Sequence, residues 1–232
     1  MQDVNFYASL ASKRAVGNQD AIDLCITAAL TEEQRATAST YKELEFIPFN
    51  PTDKRAEAKI QAPDGSTFRV AKGAPQVLMR MAYNSDELTP TVKKSVQELA
   101  DRGFRALGVG IMRSPEGEPP KWEYLGILSL FDPPRHDTKA TIAAALDNGI
   151  EVKMVTGDQT AIAKETCREL GMGTNILNTE VLNDTSVPKD VVSRIIMEAH
   201  GFAEVMPEHK FMIVECIRQM GHVTGMTGAL LL

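Results

Sequence analysis

The sequence has no long apolar segment, no paired cysteines and no basic cluster. Its three cysteines, Cys25, Cys167 and Cys216, lie far apart and show no CxxC spacing, which predicts neither a disulfide framework nor a zinc site. No apolar run approaches the roughly 18 to 20 residues that span a bilayer, and the start lacks the layout of a signal peptide. We expect a chain that is soluble in a reducing cytosol and itself makes no membrane contact.

Other familiar signals are absent as well. The net charge of -6 argues against a nucleic-acid partner, which would require a clustered basic face. Neither G-x-x-x-x-G-K-S/T nor G-x-G-x-x-G occurs, which disfavours a P-loop or a Rossmann nucleotide site. The four histidines show no metal-ligand spacing, and no hydrolase elbow is present. Any anion site must therefore be local.

The pattern divides the chain into two halves of different character. Hydrophobic residues at 43% and charged residues at 24% are ordinary globular values, and 232 residues favour two compact domains. Residues 1–131 predict an antiparallel sheet with helices, with strands at 43–49, 57–62, 67–71, 104–111 and 122–131 and an exposed loop at 114–120. Helices are predicted from the Asp20 N-cap to Leu30, from Pro75 to Tyr83, and from Pro90 to a stop at Gly103.

Residues 132–232 alternate between helix and strand. Helices are predicted from Thr138 to Asn148, from Thr160 to Leu170 with Gly171 as the cap, from Pro188 to Gly201, and from Pro207 onward, with strands at 152–155, 202–205 and 222–226. Such alternation indicates right-handed βαβ units and a parallel sheet. Pro133 and Pro134 are typical of a stiff hinge between the halves. The predicted fold class is therefore α/β.

The second half contains a candidate phosphate site. Thr156, Gly157 and Asp158 lie between a predicted strand and a helix, where a hydroxyl and backbone amides can hold a phosphoryl oxygen. Lys210 lies one turn into a later helix, where its ammonium can neutralise developing negative charge. The alternatives are an ordinary turn with Asp158 as N-cap and a solvated helix-surface lysine.

The first half contains a candidate purine site. A purine ring could stack on Phe49 while Lys54 or Arg55 meets phosphate charge. The alternative is a core phenylalanine in an edge strand beside a basic turn. Lys72 and Gly73 end the next strand, where a glycine would let a flat ligand approach the backbone closely. Arg105 adds a further cation at the start of a strand.

Taken in order, these segments resemble the cytoplasmic part of a P-type cation-transporting ATPase, and most of all the plasma-membrane proton pumps of fungi, plants and protists. The resemblance covers nearly the whole chain. The runs that carry it are 20–23, 46–55, 72–75, 132–135, 154–158, 202–210 and 224–228.

The resemblance implies a nucleotide-binding domain at 1–131 and part of a haloacid-dehalogenase-like phosphorylation domain at 132–232. It implies that Phe49 stacks the adenine, that Arg55 and Lys72 line the pocket beside Gly73, and that Asp23 is a polar contact at the rim. Further roles implied are phosphate contact for Arg105, a hinge for Asp132 and Arg135, a phosphate loop for Thr156 to Asp158, and phosphoryl stabilisation for Lys210. The parent would use ATP and Mg²⁺ and would join this segment to actuator and membrane domains at the cytoplasmic face of the plasma membrane.

The chain also departs from the family pattern. No Asp-Lys-Thr-Gly-Thr run precedes these segments, and Ala229 to Leu232 stand where an acidic Mg²⁺-binding segment should begin. Without those carboxylates phosphoryl transfer lacks both acceptor and metal, so we expect a fragment that is inactive alone and whose first half is the better folded. The alternatives are a stand-alone phosphatase of the haloacid-dehalogenase type and a non-catalytic nucleotide-binding module.

Overall fold

A computed structural model describes residues 3–14, 19–113, 119–184 and 186–228. Its contacts divide the chain into two compact units: unit 1 comprises residues 1–99 and 104–131, and unit 2 comprises residues 100–103 and 132–232. Most of the predicted loop at 114–120 and the leucine-rich end at 229–232 lie outside the described residues. None of the described helices is both long enough and apolar enough to cross a bilayer.

Unit 1 contains the predicted antiparallel sheet, and its described strands follow one another in the order β1-β2-β3-β4-β5. Their bounds are β1 Lys42–Asn50, β2 Arg55–Gln61, β3 Thr67–Gly73, β4 Arg105–Arg113 and β5 Lys121–Leu130. Each strand pairs antiparallel with the next. The hairpin predicted between β2 and β3 is confirmed, with Gly65 in the turn at a φ of 86° that favours glycine.

The helices of unit 1 are α1 Val4–Leu10, α2 Ala21–Ala28, α3 Glu32–Ser39, α4 Pro75–Met81 and α5 Ser85–Ala100. The prediction for α2 is confirmed at its start, where the Asp20 carboxylate accepts the backbone N–H of Asp23. The start predicted for α5 is wrong, because Pro90 lies inside the helix rather than in its first turn. Helix α5 begins five residues earlier and tolerates the proline at the cost of one backbone hydrogen bond.

Helices pack on the sheet of unit 1 through buried aliphatic side chains. Leu10 of α1 packs with Ile60 and Val70, and all three are 0% exposed. Val109 of β4 packs against Ala8 and Ile26, which joins α1 and α2 to the middle of the sheet. Helices α4 and α5 form a further cluster through Met79, Val92 and Val96. These clusters fix the helices of unit 1 against its sheet.

Unit 2 contains a small parallel sheet with the strand order β6-β8-β7 among its described residues. The strands are β6 Met154–Val155, β7 Ile176–Asn178 and β8 Gly201–Ala203. The helices are α6 Thr138–Asp147, α7 Thr160–Leu170, α8 Glu180–Asn183, α9 Lys189–Glu198 and α10 Pro207–Gln219. The α/β class, the antiparallel sheet of unit 1 and the parallel sheet of unit 2 are thus confirmed.

The predictions for individual elements of unit 2 differ in outcome. Helix α7 has the predicted bounds, and Gly171 caps it in the left-handed conformation with a φ of 75°. The strand predicted at 222–226 is wrong: this segment pairs with no described strand, and Val223 is fully exposed. A strand requires a hydrogen-bonded neighbour, and β6 bonds only to β8 among the described strands. Strand β7 and helix α8 were not predicted.

The two sheets lead to a prediction about local stability. The strands of unit 1 are seven to ten residues long, whereas those of unit 2 are two or three. Short strands hold few cooperative hydrogen bonds, so we expect amide protection factors in β6 to β8 to be on the order of tenfold lower than in β2 to β4. Hydrogen exchange followed by NMR measures both. Equal protection of residues 10–130 and 140–226 would contradict this expectation.

Candidate functional site

The register of the sheet brings the predicted purine-site residues to one end of unit 1. Asn50, at the end of β1, pairs with Arg55 at the start of β2, and Arg55 pairs with Gly73 at the end of β3. Gly73 in turn pairs with Gly108 of β4, so Arg105 at the start of β4 belongs to the same end. Residues far apart in sequence are therefore neighbours at one end of the strands.

Phe49 presents its ring to solvent at this end of the sheet. Its side chain is 57% exposed, which excludes the alternative of a core phenylalanine. The turn that follows is held by the Lys54 N–H, which donates to Asn50 O at 2.6 Å, and Lys54 has a φ of 53°. The Ala74 N–H donates to Lys54 O at 2.9 Å and ties this turn to the end of β3. An exposed aromatic ring thus stands on a well-fixed backbone.

Gly73 allows close backbone packing within the protein itself. A Cβ placed there would lie 2.3 Å from Lys54 O and 2.8 Å from Arg55 Cβ. The space that was expected to admit a flat ligand is filled by the turn between β1 and β2. The glycine is needed at this position because it lets the turn and β3 meet.

Lys72, next to Gly73 at the end of β3, forms a buried ion pair with Asp23 of α2. Lys72 is 6% exposed and Asp23 is 4% exposed, and the Lys72 ammonium contacts Asp23 Oδ1. Lys72 Nζ also donates to Ser12 Oγ at 2.9 Å, while Asp23 Oδ2 accepts the Lys13 N–H at 2.9 Å. Asp23 is buried because Asp23 and Ile26 share the buried face of α2.

Burial also changes the chemistry of this lysine. Loss of solvation lowers the pKa of Lys72 to about 8, and the Asp20 carboxylate acts in the opposite direction. The direct contact with the Asp23 carboxylate also favours the charged form of Lys72. Lys72 thus places a positive charge below the surface, with two hydrogen-bond partners of its own.

Arg55 belongs to a chain of charges along β1, β2 and β3. Its Nε lies 3.6 Å from Glu57 Oε2, and Arg69 Nη1 donates to Glu57 Oε1 at 2.7 Å. Arg69 Nη2 also donates to Glu45 Oε2 at 2.9 Å. Glu57 is 7% exposed and sits between two arginines, which fixes the direction of the Arg55 side chain. Sequence reasoning missed Glu57, whose role depends on strand register alone.

In unit 2 the loops that follow β6 and β8 lie side by side. The Thr156 N–H donates to Phe202 O, the Val205 N–H donates to Thr156 O, and both distances are 3.0 Å. The Glu204 N–H donates to Asp158 O at 2.9 Å. Both loops leave the carboxyl ends of adjacent parallel strands, which is where open parallel sheets bind ligands.

The segment Thr156 to Asp158 forms a compact polar turn. Thr156 Oγ1 accepts the Asp158 N–H and donates to Asp158 Oδ2, both at 3.1 Å. The N-cap of α7 is Gln159, so the alternative with Asp158 as N-cap is wrong. Gly157 is exposed, and within the described part of the chain a Cβ added to it would meet only Val205 O, at 3.6 Å. The backbone at residue 157 is therefore open to an approaching group.

Glu204 is a second residue that sequence reasoning missed. It has a φ of 57°, an uncommon conformation for a residue with a Cβ. Its Oε1 accepts a hydrogen bond from Thr160 Oγ1 at 3.1 Å, which joins the loop after β8 to the start of α7. Strained backbone of this kind costs about 1–3 kcal/mol and is frequent at functional sites.

Lys210 is placed by the start of α10. The helix begins at Pro207, and the Lys210 N–H donates to Met206 O at 3.3 Å, so Lys210 lies in the first turn as predicted. The side chain of its neighbour His209 accepts the Met206 N–H through Nδ1 at 3.2 Å, and Nε2 lies 2.9 Å from Asn183 Oδ1. Since Nδ1 accepts, the ring proton belongs on Nε2, and His209 fixes the first turn that carries Lys210.

Asp132 and Arg135 lie in the irregular segment that precedes α6, and both are exposed. The Arg135 carbonyl accepts the Thr138 N–H at 3.0 Å at the entrance to this helix. Among the residues that the structure describes, no group of three or more His, Cys, Asp or Glu side chains is arranged to hold a metal ion.

Comparison with known proteins gives a relative for nearly the whole chain. No model of a protein family matches it. The "Probable plasma membrane ATPase" of Dictyostelium discoideum is 43% identical over 231 residues, which cover 98% of this chain and 21% of the relative. The chain thus spans about a fifth of the length of this curated relative.

Proposed function

Because this chain is a relative of a plasma membrane ATPase over 98% of its own length, we propose that it is the ATP-binding portion, and part of the phosphate-handling portion, of a P-type proton pump. The 43% identity is the observation that carries this proposal. In that parent the segment lies at the cytoplasmic face of the plasma membrane and works with actuator and membrane domains. Alone, the chain binds ATP without turning it over.

ATP binds unit 1 at the end of the sheet where β1, β2 and β3 meet. The exposed ring of Phe49 offers a stacking surface for adenine, since aromatic faces bind flat bases through offset contact. Arg55 and Arg105 begin β2 and β4 at the same end and supply cations for the phosphates. Glu57 holds Arg55 in place.

Lys72 acts on the nucleotide from below the surface. Its ammonium is already bonded to Asp23 and Ser12, so its charge contributes through space and through the position of α2. Gly73 keeps the β1–β2 turn against β3 and thereby sets the distance between Phe49 and Arg55. This assignment separates residues that contact ATP from residues that position the contacts.

Unit 2 contributes a phosphate cradle. The Thr156 hydroxyl and the open backbone at Gly157 hold phosphoryl oxygens, and Lys210 neutralises charge from the first turn of α10. Asp158 closes the turn through Thr156. Phosphoryl transfer also needs an acceptor carboxylate and Mg²⁺, which the parent protein would supply. In the parent, Asp132 and Arg135 act as a hinge.

Titration with ATP tests the adenine site. We expect Phe49→Ala to weaken ATP binding by about tenfold or more, because loss of base stacking costs roughly 1–3 kcal/mol. Isothermal titration calorimetry of the full chain without Mg²⁺ gives the dissociation constant.

Tyr83→Ala is the matched control for this experiment, since Tyr83 is also in unit 1 and is 68% exposed. Its loss should leave ATP affinity unchanged. If the two variants bind ATP equally well, adenine does not stack on Phe49.

A further inference from the structure

A cavity in unit 1 lies outside the proposed ATP contacts. It is formed by α1, α2, α3 and the segment after α1, and it has a volume of about 550 Å³. Small-molecule sites have typical volumes of about 300–1,000 Å³. Among the described residues that line it, the ionisable ones are Lys13, Arg14 and Arg35, and none is acidic. Three cations around one cavity are notable in a chain whose net charge is -6.

Only some of the hydrogen-bond donors of Arg14 have partners among the described residues. Its Nη1 donates to Tyr41 O at 2.6 Å, and its Nε lies 3.9 Å from Glu43 Oε2. Its Nη2 is buried without a hydrogen-bond partner in the part of the chain that the structure describes. Burial lowers the pKa of this guanidinium, and Glu43 acts in the opposite direction. Glu43 Oε2 is likewise buried without a described hydrogen-bond partner, so Arg14 has a carboxylate nearby but no direct hydrogen bond to it.

The other two cations leave charge facing the cavity. Arg35 Nη2 donates to Ala28 O at 2.9 Å and contacts no carboxylate among the described residues. The Lys13 ammonium has no described partner, while its backbone N–H bonds to Asp23. A compact anion with several acceptor oxygens matches this arrangement better than a single neutral polar group does.

The rest of the wall is largely apolar. Leu10 and Leu30 are buried, and Leu24 is 52% exposed at the wall. Apolar walls beside cations fit a molecule with an anionic head and a short hydrocarbon body.

We propose that this cavity is a binding site for a small phosphate monoester with an apolar body, separate from the ATP site. The cavity shares no residue with the proposed ATP contacts. Two lining residues connect it to the buried ion pair: Ser12 accepts a hydrogen bond from Lys72, and the Lys13 N–H donates to Asp23 Oδ2. The oxygens of the head bind Arg35 and Lys13, the Arg14 guanidinium adds positive charge behind them, and the hydrocarbon lies against the leucines.

Hexyl phosphate, inorganic phosphate and hexanol are the probes that test this site on the full chain. We expect hexyl phosphate to shift the backbone amide NMR signals of Leu10, Leu24 and Arg35, with inorganic phosphate weaker and hexanol weakest. Lys13→Gln and Arg35→Gln should each weaken the binding of hexyl phosphate by about tenfold, since charge-assisted hydrogen bonds are stronger than neutral ones. Arg80→Gln is the control, because Arg80 is exposed on α4 and bonds only within its own helix.

Three results would overturn the proposal. The first is equal affinity of the Lys13, Arg35 and Arg80 variants for hexyl phosphate. The second is equal binding of hexyl phosphate and hexanol, which would mean an apolar site without anion recognition. The third is loss of hexyl phosphate binding in Phe49→Ala together with displacement by ATP, which would place the ligand in the nucleotide site. Melting curves of each variant verify that it is folded.

Discussion

Replacement of Asp23 by alanine is expected to lower the free energy of unfolding by about 3–5 kcal/mol, the usual effect of removing one partner of a buried ion pair. Asp23 and Lys72 are almost fully buried and in direct contact. Without the carboxylate, the Lys72 ammonium keeps only the Ser12 hydroxyl as a partner. Urea denaturation of the full chain, followed by the fluorescence of Trp122 in unit 1, measures the change.

Two further variants separate the ion pair from other roles of α2. Asp20→Asn removes a nearby charge but keeps a side chain that caps α2, so it should change stability by less than about 1 kcal/mol. The double variant Asp23→Ala with Lys72→Met should be more stable than Asp23→Ala alone, because no buried charge is then left without a partner. Strictly additive effects of the two substitutions would show that the pair is not coupled.

The same variants reveal how Lys72 acts on ATP. If it acts through its charge, Lys72→Met weakens ATP binding even in the double variant, where the fold is recovered. Since the charge of Lys72 is expected to act together with the position of α2, the double variant should bind ATP more weakly than the original chain, and equal binding would mean that only the position of α2 matters. The ATP titration therefore distinguishes electrostatic attraction from support of the fold.

The second large effect is expected for Gly201→Ala in unit 2. A Cβ at this position would lie 2.3 Å from Met154 O, within the backbone pairing of β6 and β8. The strands must separate to admit it, at a cost of about 1–3 kcal/mol or more. Separation also moves the Thr156 loop away from Val205, whose N–H donates to Thr156 O. We expect a lower melting temperature of unit 2 and loss of the amide NMR shifts that inorganic phosphate induces at Thr156 and Lys210.

Gly157→Ala is the matched control. The added methyl group meets only Val205 O at 3.6 Å, an ordinary contact, so the melting temperature should hardly change. If residue 157 is where phosphate approaches the backbone, phosphate-induced shifts should nevertheless decrease. Equal melting temperatures for Gly157→Ala and Gly201→Ala would contradict the account of β6 and β8.

The sequence predicted elements well where local signals are strong. Asp20 begins α2, Pro75 begins α4, Pro207 begins α10, and Gly171 ends α7, because caps and prolines act within one turn. Predictions failed where a distant partner decides the outcome. The segment 222–226 has strand-forming residues but pairs with no described strand, and Pro90 is carried inside α5 by packing of Val92 and Val96.

The candidate sites show the same division. Residues at strand ends, such as Phe49, Arg55 and Thr156, can be selected from sequence because strand ends are visible as pattern breaks. The residues that hydrogen-bond or pair with them cannot be selected in this way. Glu57 reaches Arg55 and Arg69 through strand register, and Ser12 reaches Lys72 across 60 positions of sequence. Burial of Asp23 likewise depends on how α2 packs.

Photo-crosslinking of the full chain with an ATP analogue that carries an azide on adenine tests directly whether adenine lies against Phe49. Mass spectrometry of the digested adduct identifies the modified peptide. We expect labelling within residues 46–55, which ATP prevents and which falls sharply in Phe49→Ala but not in Tyr83→Ala. Specific labelling at a segment remote from residue 49, unaffected by Phe49→Ala, would contradict it.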